Sequence, residues 1–108
     1  MRLDDYQQAA RRTAIYAERD RVTYPALGLA SEAGEVCGKV KKVLRDGGGD
    51  WAQAPREALS DELGDVLWYV AVLAADLGLS LDDIAARNLA KLGSRAGRGE
   101  LGGSGDRR

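Results

Sequence analysis

Val66 to Ala75 is an unbroken apolar run, and it closely follows three acids, Asp61, Glu62 and Asp65. At about 100° per residue, a helix through this stretch is apolar all round, and such a helix has to be buried. A chain of 108 residues has one core in which to bury it. The rest of the sequence has helical periodicity between its breakers, and no segment alternates as a strand would. Both prolines, Pro25 and Pro55, stand where a helix can begin. The pattern predicts an all-α fold of four helices: Asp4 to Arg21, Pro25 to Leu44, Pro55 to Leu77, and Leu81 to Leu92. Ser80 is the expected N-cap of the last, with Asp83 three residues on, and Gly78 suits the stop before it. Asp46-Gly47-Gly48-Gly49-Asp50 reads as a turn. It is a poor phosphate cradle, because no strand precedes it and no Gly-Lys-Ser/Thr follows. Residues 1–93 form the expected domain, and the glycine- and arginine-rich stretch 94–108 is the expected disordered tail.

Composition narrows the chemistry. The chain has no histidine and one cysteine. That excludes a Ser-His-Asp triad, a Cys-His pair, imidazole metal ligands and a zinc knot. Carboxylates, Lys, Arg, Tyr and Ser remain, and any metal they bind is a hard, oxygen-loving one. With 16 basic against 17 acidic side chains, no face has the cationic excess that nucleic-acid binding needs. The run from Val66 is too short to span a membrane, and the first residues do not resemble a signal peptide. A cytoplasmic protein without nucleic-acid or membrane partners is expected. Cys37, among apolar neighbours, is read as a small core residue.

The acids carry the functional information. Glu32 and Glu35 are three apart on the second helix and share a face, and Lys39 and Lys42 continue the stripe. The apolar arc Leu29, Ala33, Val36, Val40 and Val43 begins right beside Glu32. On the third helix, Tyr69 and Val72 lie at nearly the azimuth of Glu62 and Asp65. The acids there share a stripe with side chains that want burial, and carboxylates are rarely buried unless paired or coordinated. Three readings compete. The acids sit favourably near a helix N-terminus, with Glu35–Lys39 a surface pair. Alternatively, they form an inter-helix salt-bridge network with Lys39, Lys42 or Arg45 in a non-catalytic dimerisation or regulatory module. In the third, Glu32 and Glu35 face Glu62 and Asp65 on antiparallel neighbours and converge on Mg²⁺ or Mn²⁺. Four like charges are not gathered that way without a cation. Four helices with this much apolar surface also leave the third partly exposed in a monomer, which predicts a homodimer or a dimer-of-dimers tetramer.

Glu32-x-x-Glu35 and Glu62-x-x-Asp65 resemble the signature of the MazG-like all-α nucleoside triphosphate pyrophosphohydrolases. The context matches too. Leu27 to Val36 is similar to the family's first metal helix, Asp61 to Tyr69 to its second, and Ser80 to Lys91 to its closing helix. The likeness covers roughly Tyr6 to Arg95. One departure is Ser31, where many relatives have an acid; the dCTP-pyrophosphatase branch lacks it as well. The resemblance implies hydrolysis of a (deoxy)nucleoside triphosphate to the monophosphate and pyrophosphate. Glu32, Glu35, Glu62 and Asp65 would hold the divalent ions, and Glu32 or Glu35 would serve the attacking water as base. Lys39, Asn88, Lys91 and Arg95 would reach the phosphates or sugar. Tyr69 matches a nucleotide-contacting position, and Tyr6 and Gln7 a position lining the base pocket. Trp51 is either a base-stacking residue or a loop anchor.

Overall fold

The structure is a computed structural model that describes residues 1–99. Among those residues there are four α-helices and no strand: α1 Leu3–Arg12, α2 Thr23–Gly47, α3 Arg56–Asp76 and α4 Leu81–Arg98. Short 3-10 turns, Glu18–Asp20 and Trp51–Gln53, lie in the first two connections. α2 and α3 form an antiparallel pair, α1 packs across α3, and α4 is bent 104° from α3 to pack on α1. The core is small. Ala10, Ala71, Val72, Ala74 and Leu81 are buried together, with Tyr6, Tyr16, Trp68 and Val70 against them. The buried residues of α3 lie in its second half; its first half is partly covered by α2, and Leu63 and the mid-helix Leu67 are exposed. No single helix among the described residues is long and apolar enough to cross a membrane.

The first helix ends at Arg12, not at Arg21 as its sequence suggests. The Thr13 hydroxyl donates to Ala10 O (2.7 Å) and accepts from the Trp68 indole (2.8 Å), which closes the helix. The chain then turns so that Tyr16 Oη donates to Asp76 Oδ2 at 2.7 Å and Val22 N–H donates to the same oxygen at 2.9 Å. Arg21 Nε lies 3.4 Å from Asp76 Oδ1. These tertiary contacts outweigh local helix propensity. Val22 sits at φ 68°, a strained conformation for a β-branched residue, held where the Asp76 bond places it. Pro25 falls in the first turn of α2, where its missing N–H is not needed. Gly48 at φ 61° ends that helix in the left-handed conformation.

Gln7 is a structural clamp rather than part of a base pocket. Its amide donates to Leu79 O (2.9 Å) and Ala71 O (3.1 Å), and its carbonyl accepts from Leu81 N–H (3.2 Å), an orphan donor of the α4 N-terminus. Asp4 completes the junction by accepting from Ser80 Oγ and Asp82 N–H, which hold its carboxyl below the ordinary range. Ser80 is the N-cap expected of it, accepting from Asp83 N–H at 3.1 Å. Gln7→Ala takes a partner from three backbone groups of this joint and should cost about 2 kcal/mol in urea unfolding. A loss under about 0.5 kcal/mol would mean water replaces the clamp.

α4 runs past residue 93 to Arg98. Gly93 and Gly97 cost it about 1 kcal/mol each relative to alanine. The capped and docked N-terminus offsets this, and Arg95 is buried, 8% exposed. Gly99, at φ 72°, stops the helix. The rest of the expected tail, 100–108, lies outside the described residues.

Candidate active site

The α2–α3 pair places two stripes face to face. Tyr24, Gly28, Glu32 and Lys39 run along α2; Tyr69, Asp65, Glu62 and Ala58 run the opposite way along α3. In the middle, one carboxylate oxygen each from Glu32, Glu62 and Asp65 lies within 4.8 Å of the others. Burial pushes the Glu32 carboxyl above the ordinary range; a hydrogen bond with Glu62 and the charges of Asp65, Glu62 and Glu35 add to the shift. Lys39 Nζ is 3.3 Å from Glu62 Oε1, a bridge between helices instead of the Glu35 pair open from the sequence. One ammonium faces three carboxylates, so cationic charge is in deficit. The donors are all oxygen, with no imidazole or thiolate among them, and they suit a hard divalent cation.

On one side of the acids is an aromatic end. A Cβ at Gly28 would collide with the Tyr69 ring, so glycine is what lets that ring lie on the α2 backbone. Burial, a hydrogen bond with Tyr24 and the charges of Glu32 and Asp65 raise the Tyr69 phenol. Burial and the Asp65 charge also raise Tyr6. On the other side is the end that carries Lys39, where a cavity of about 460 Å³ is lined by Lys39, Lys42, Asp46, Asp50, Pro55 and Ala58, among others.

Not every expected residue joins this arrangement. Glu35 is exposed and lies outside the three-oxygen cluster, although its charge acts on Glu32. α4 packs on α1, so Asn88 and Lys91 stand exposed on a helix that does not flank the acids. Arg95 is buried and already partnered. Trp51 is part of the 3-10 turn and half exposed. Cys37 is exposed, not the core residue its apolar neighbours in sequence suggest. Sequence reasoning passed over Tyr16, Tyr24 and Asp76. A lone acid directly after the apolar run was the available signal for Asp76.

The MazG nucleotide pyrophosphohydrolase domain, as a family model, matches residues 23–98, which contain all of α2, α3 and α4. The chain belongs to the MazG family. It is 48% identical to the Gene 37 protein of Mycobacterium phage L5 over 114 aligned residues, covering 100% of each chain. No solved structure gives a significant match. Membership in MazG implies a nucleotide pyrophosphohydrolase, a family typically dependent on divalent metal, and the facing acids of α2 and α3 fit that chemistry.

Proposed function

We propose that this MazG protein hydrolyses (deoxy)nucleoside triphosphates to the monophosphate and pyrophosphate with Mg²⁺, or Mn²⁺ as substitute, in control or house-cleaning of the cytoplasmic nucleotide pool. The carrying observation is the convergence of Glu32, Glu62 and Asp65 within 4.8 Å across two MazG helices. These three would hold the metal, and Glu35, one turn from Glu32, would complete the set by a side-chain rotation. When bound, the metal neutralises triphosphate charge and activates the attacking water. Glu32 or Glu35 would also take the water proton at its own carboxylate oxygens. Lys39 would exchange Glu62 for a phosphate oxygen, and Tyr69 would line the nucleotide.

The same reading requires a homo-oligomer, as a dimer or a dimer of dimers. The radius of gyration is 16.7 Å, whereas a compact chain of this length has about 13 Å. Leu63 on α3 and Leu89 on α4 are 56% and 69% exposed. A second copy covering these faces could also bring Asn88 and Lys91 to a partner's acids. Light scattering at micromolar concentration should give at least a dimer; a monomer would count against this assembly.

A screen of standard and damaged nucleotides should yield pyrophosphate and monophosphate only with Mg²⁺ or Mn²⁺. Release of orthophosphate instead would overturn the reaction class. The Lys39–Glu62 bridge favours a second reading, a non-catalytic helical module held by salt bridges. Absence of turnover together with absence of any metal effect on melting would select it.

A further inference from the structure

We propose that Tyr24 is the nucleobase platform of this site: its ring, stacked on Tyr16 and edged by Tyr69, takes the base of the nucleotide whose phosphates lie at the acids. The inference rests on the function proposed above and deepens it. Tyr24 is two turns before Glu32 on the same face of α2, about 12 Å along the axis. A sugar and base extending from phosphates at the acid cluster bridge that kind of gap. The groove also has a direction: on one side of the acids Lys39 bridges to Glu62 with Lys42 beyond it, and on the other side lie the three tyrosine rings. Phosphates belong at the first end and a π-face at the second.

The platform is built rather than incidental. Tyr16 and Tyr24 stack with centroids 5.0 Å apart and planes 26° apart. Tyr16 is fixed in turn through its hydroxyl to Asp76, whose side chain is 5% exposed. Tyr69 meets Tyr24 at 6.3 Å and 45° and links the aromatic end to the acids. Even with these neighbours Tyr24 remains 47% exposed. A half-open aromatic ring held rigid by two others is pre-organised for stacking, which loses less on binding than a mobile one. Stacking is tolerant of base identity, since every base has a π-face. Tyr24 therefore contributes affinity for nucleotides as a class.

The test is titration calorimetry with Mg²⁺, using α,β-imido deoxynucleoside triphosphates and, in parallel, inorganic tripolyphosphate, which lacks a base. Wild type should bind the nucleotides more tightly than tripolyphosphate. Tyr24→Ala should weaken the nucleotides roughly ten- to a hundredfold and leave tripolyphosphate unchanged. Tyr24→Phe should retain most of the affinity. Tyr24→Leu, which keeps bulk without a π-face, should behave like the alanine variant and guards against a packing defect. The proposal is overturned if Tyr24→Ala leaves nucleotide affinity intact, or weakens both ligands alike. It is overturned alone if wild type binds tripolyphosphate and gains nothing from a base. If wild type binds neither ligand, the phosphate-handling function falls and the platform with it.

Discussion

Asp65→Asn and Glu62→Gln should each reduce metal-dependent pyrophosphate release by about a thousandfold or more without unfolding the protein. Each removes one of only three converging carboxylates. Several kcal/mol of transition-state charge stabilisation depends on holding the ion, and each 1.36 kcal/mol is tenfold in rate. The stability change runs the other way. The three acids repel one another, and Asp65 is one of the charges that raises Glu32. Asp65→Asn should therefore melt at the same temperature as wild type or slightly higher when both are metal-free. Wild type should gain about 2.7 kcal/mol at an Mg²⁺ concentration a hundred times its dissociation constant, and the variant should lose that gain. Glu62→Gln separates from it, because it also breaks the Lys39 bridge and so lacks the metal-free stabilisation. Activity within threefold of wild type in either variant would sink the metal assignment.

Asp76→Ala should destabilise the chain by about 3 kcal/mol, a fall of roughly 15 °C in melting temperature for a domain of this size. Nothing in the catalytic scheme touches Asp76. The loss comes from three donors stripped of one buried acceptor: Tyr16 Oη, Val22 N–H and Arg21 Nε. It also frees Val22 from the contact that holds its positive φ. The pH profile gives a second signature. Burial alone would raise Asp76, but the bonds from Val22, Tyr16 and Arg21 prevail and its carboxyl is lowered from 3.8. A lowered acid contributes stability that is present above pH 3.8 and lost as pH falls through its folded value. Tyr16 is the mirror case. Burial and the Asp76 bond push its phenol up to about 12 from 10, so its contribution is full below pH 10 and lost between 10 and 12. Melts from acid to alkali should show both flanks in wild type and shallower ones in Asp76→Ala, where burial still raises Tyr16 and other shifted groups still titrate. An alkaline flank in the variant as steep as that of wild type would mean the Asp76 bond adds nothing to the burial that raises Tyr16.

The parts of the molecule legible in one dimension share a physical cause. The N-cap at Ser80 and the stop at Gly78 are decided within a turn of the residue concerned, whereas α2 runs on to Gly47, past the end expected at Leu44. The facing of Glu32 with Glu62 and Asp65 follows from helical spacing plus the short turn that makes α2 and α3 antiparallel neighbours. Where the reading missed, the partner was distant in sequence. Gln7 looks like a surface polar residue on α1, yet its bonds reach residues 71, 79 and 81. Lys39 suits Glu35 by spacing but bonds Glu62. Cys37 has core-like neighbours in sequence, but it is exposed.

Sequence alone determined an all-helical pattern, a side-chain repertoire without histidine and rich in carboxylates, and four candidate acids, because periodicity and side-chain chemistry are local properties. Only the tertiary structure decided that three of the four converge, that α1 stops at Thr13 to let Tyr16 reach Asp76, and that α4 packs on α1 while Leu89 stays exposed. Those outcomes depend on how rigid helices cross and on which buried donors find an acceptor. That competition is settled across the whole fold, and no window of the sequence contains it.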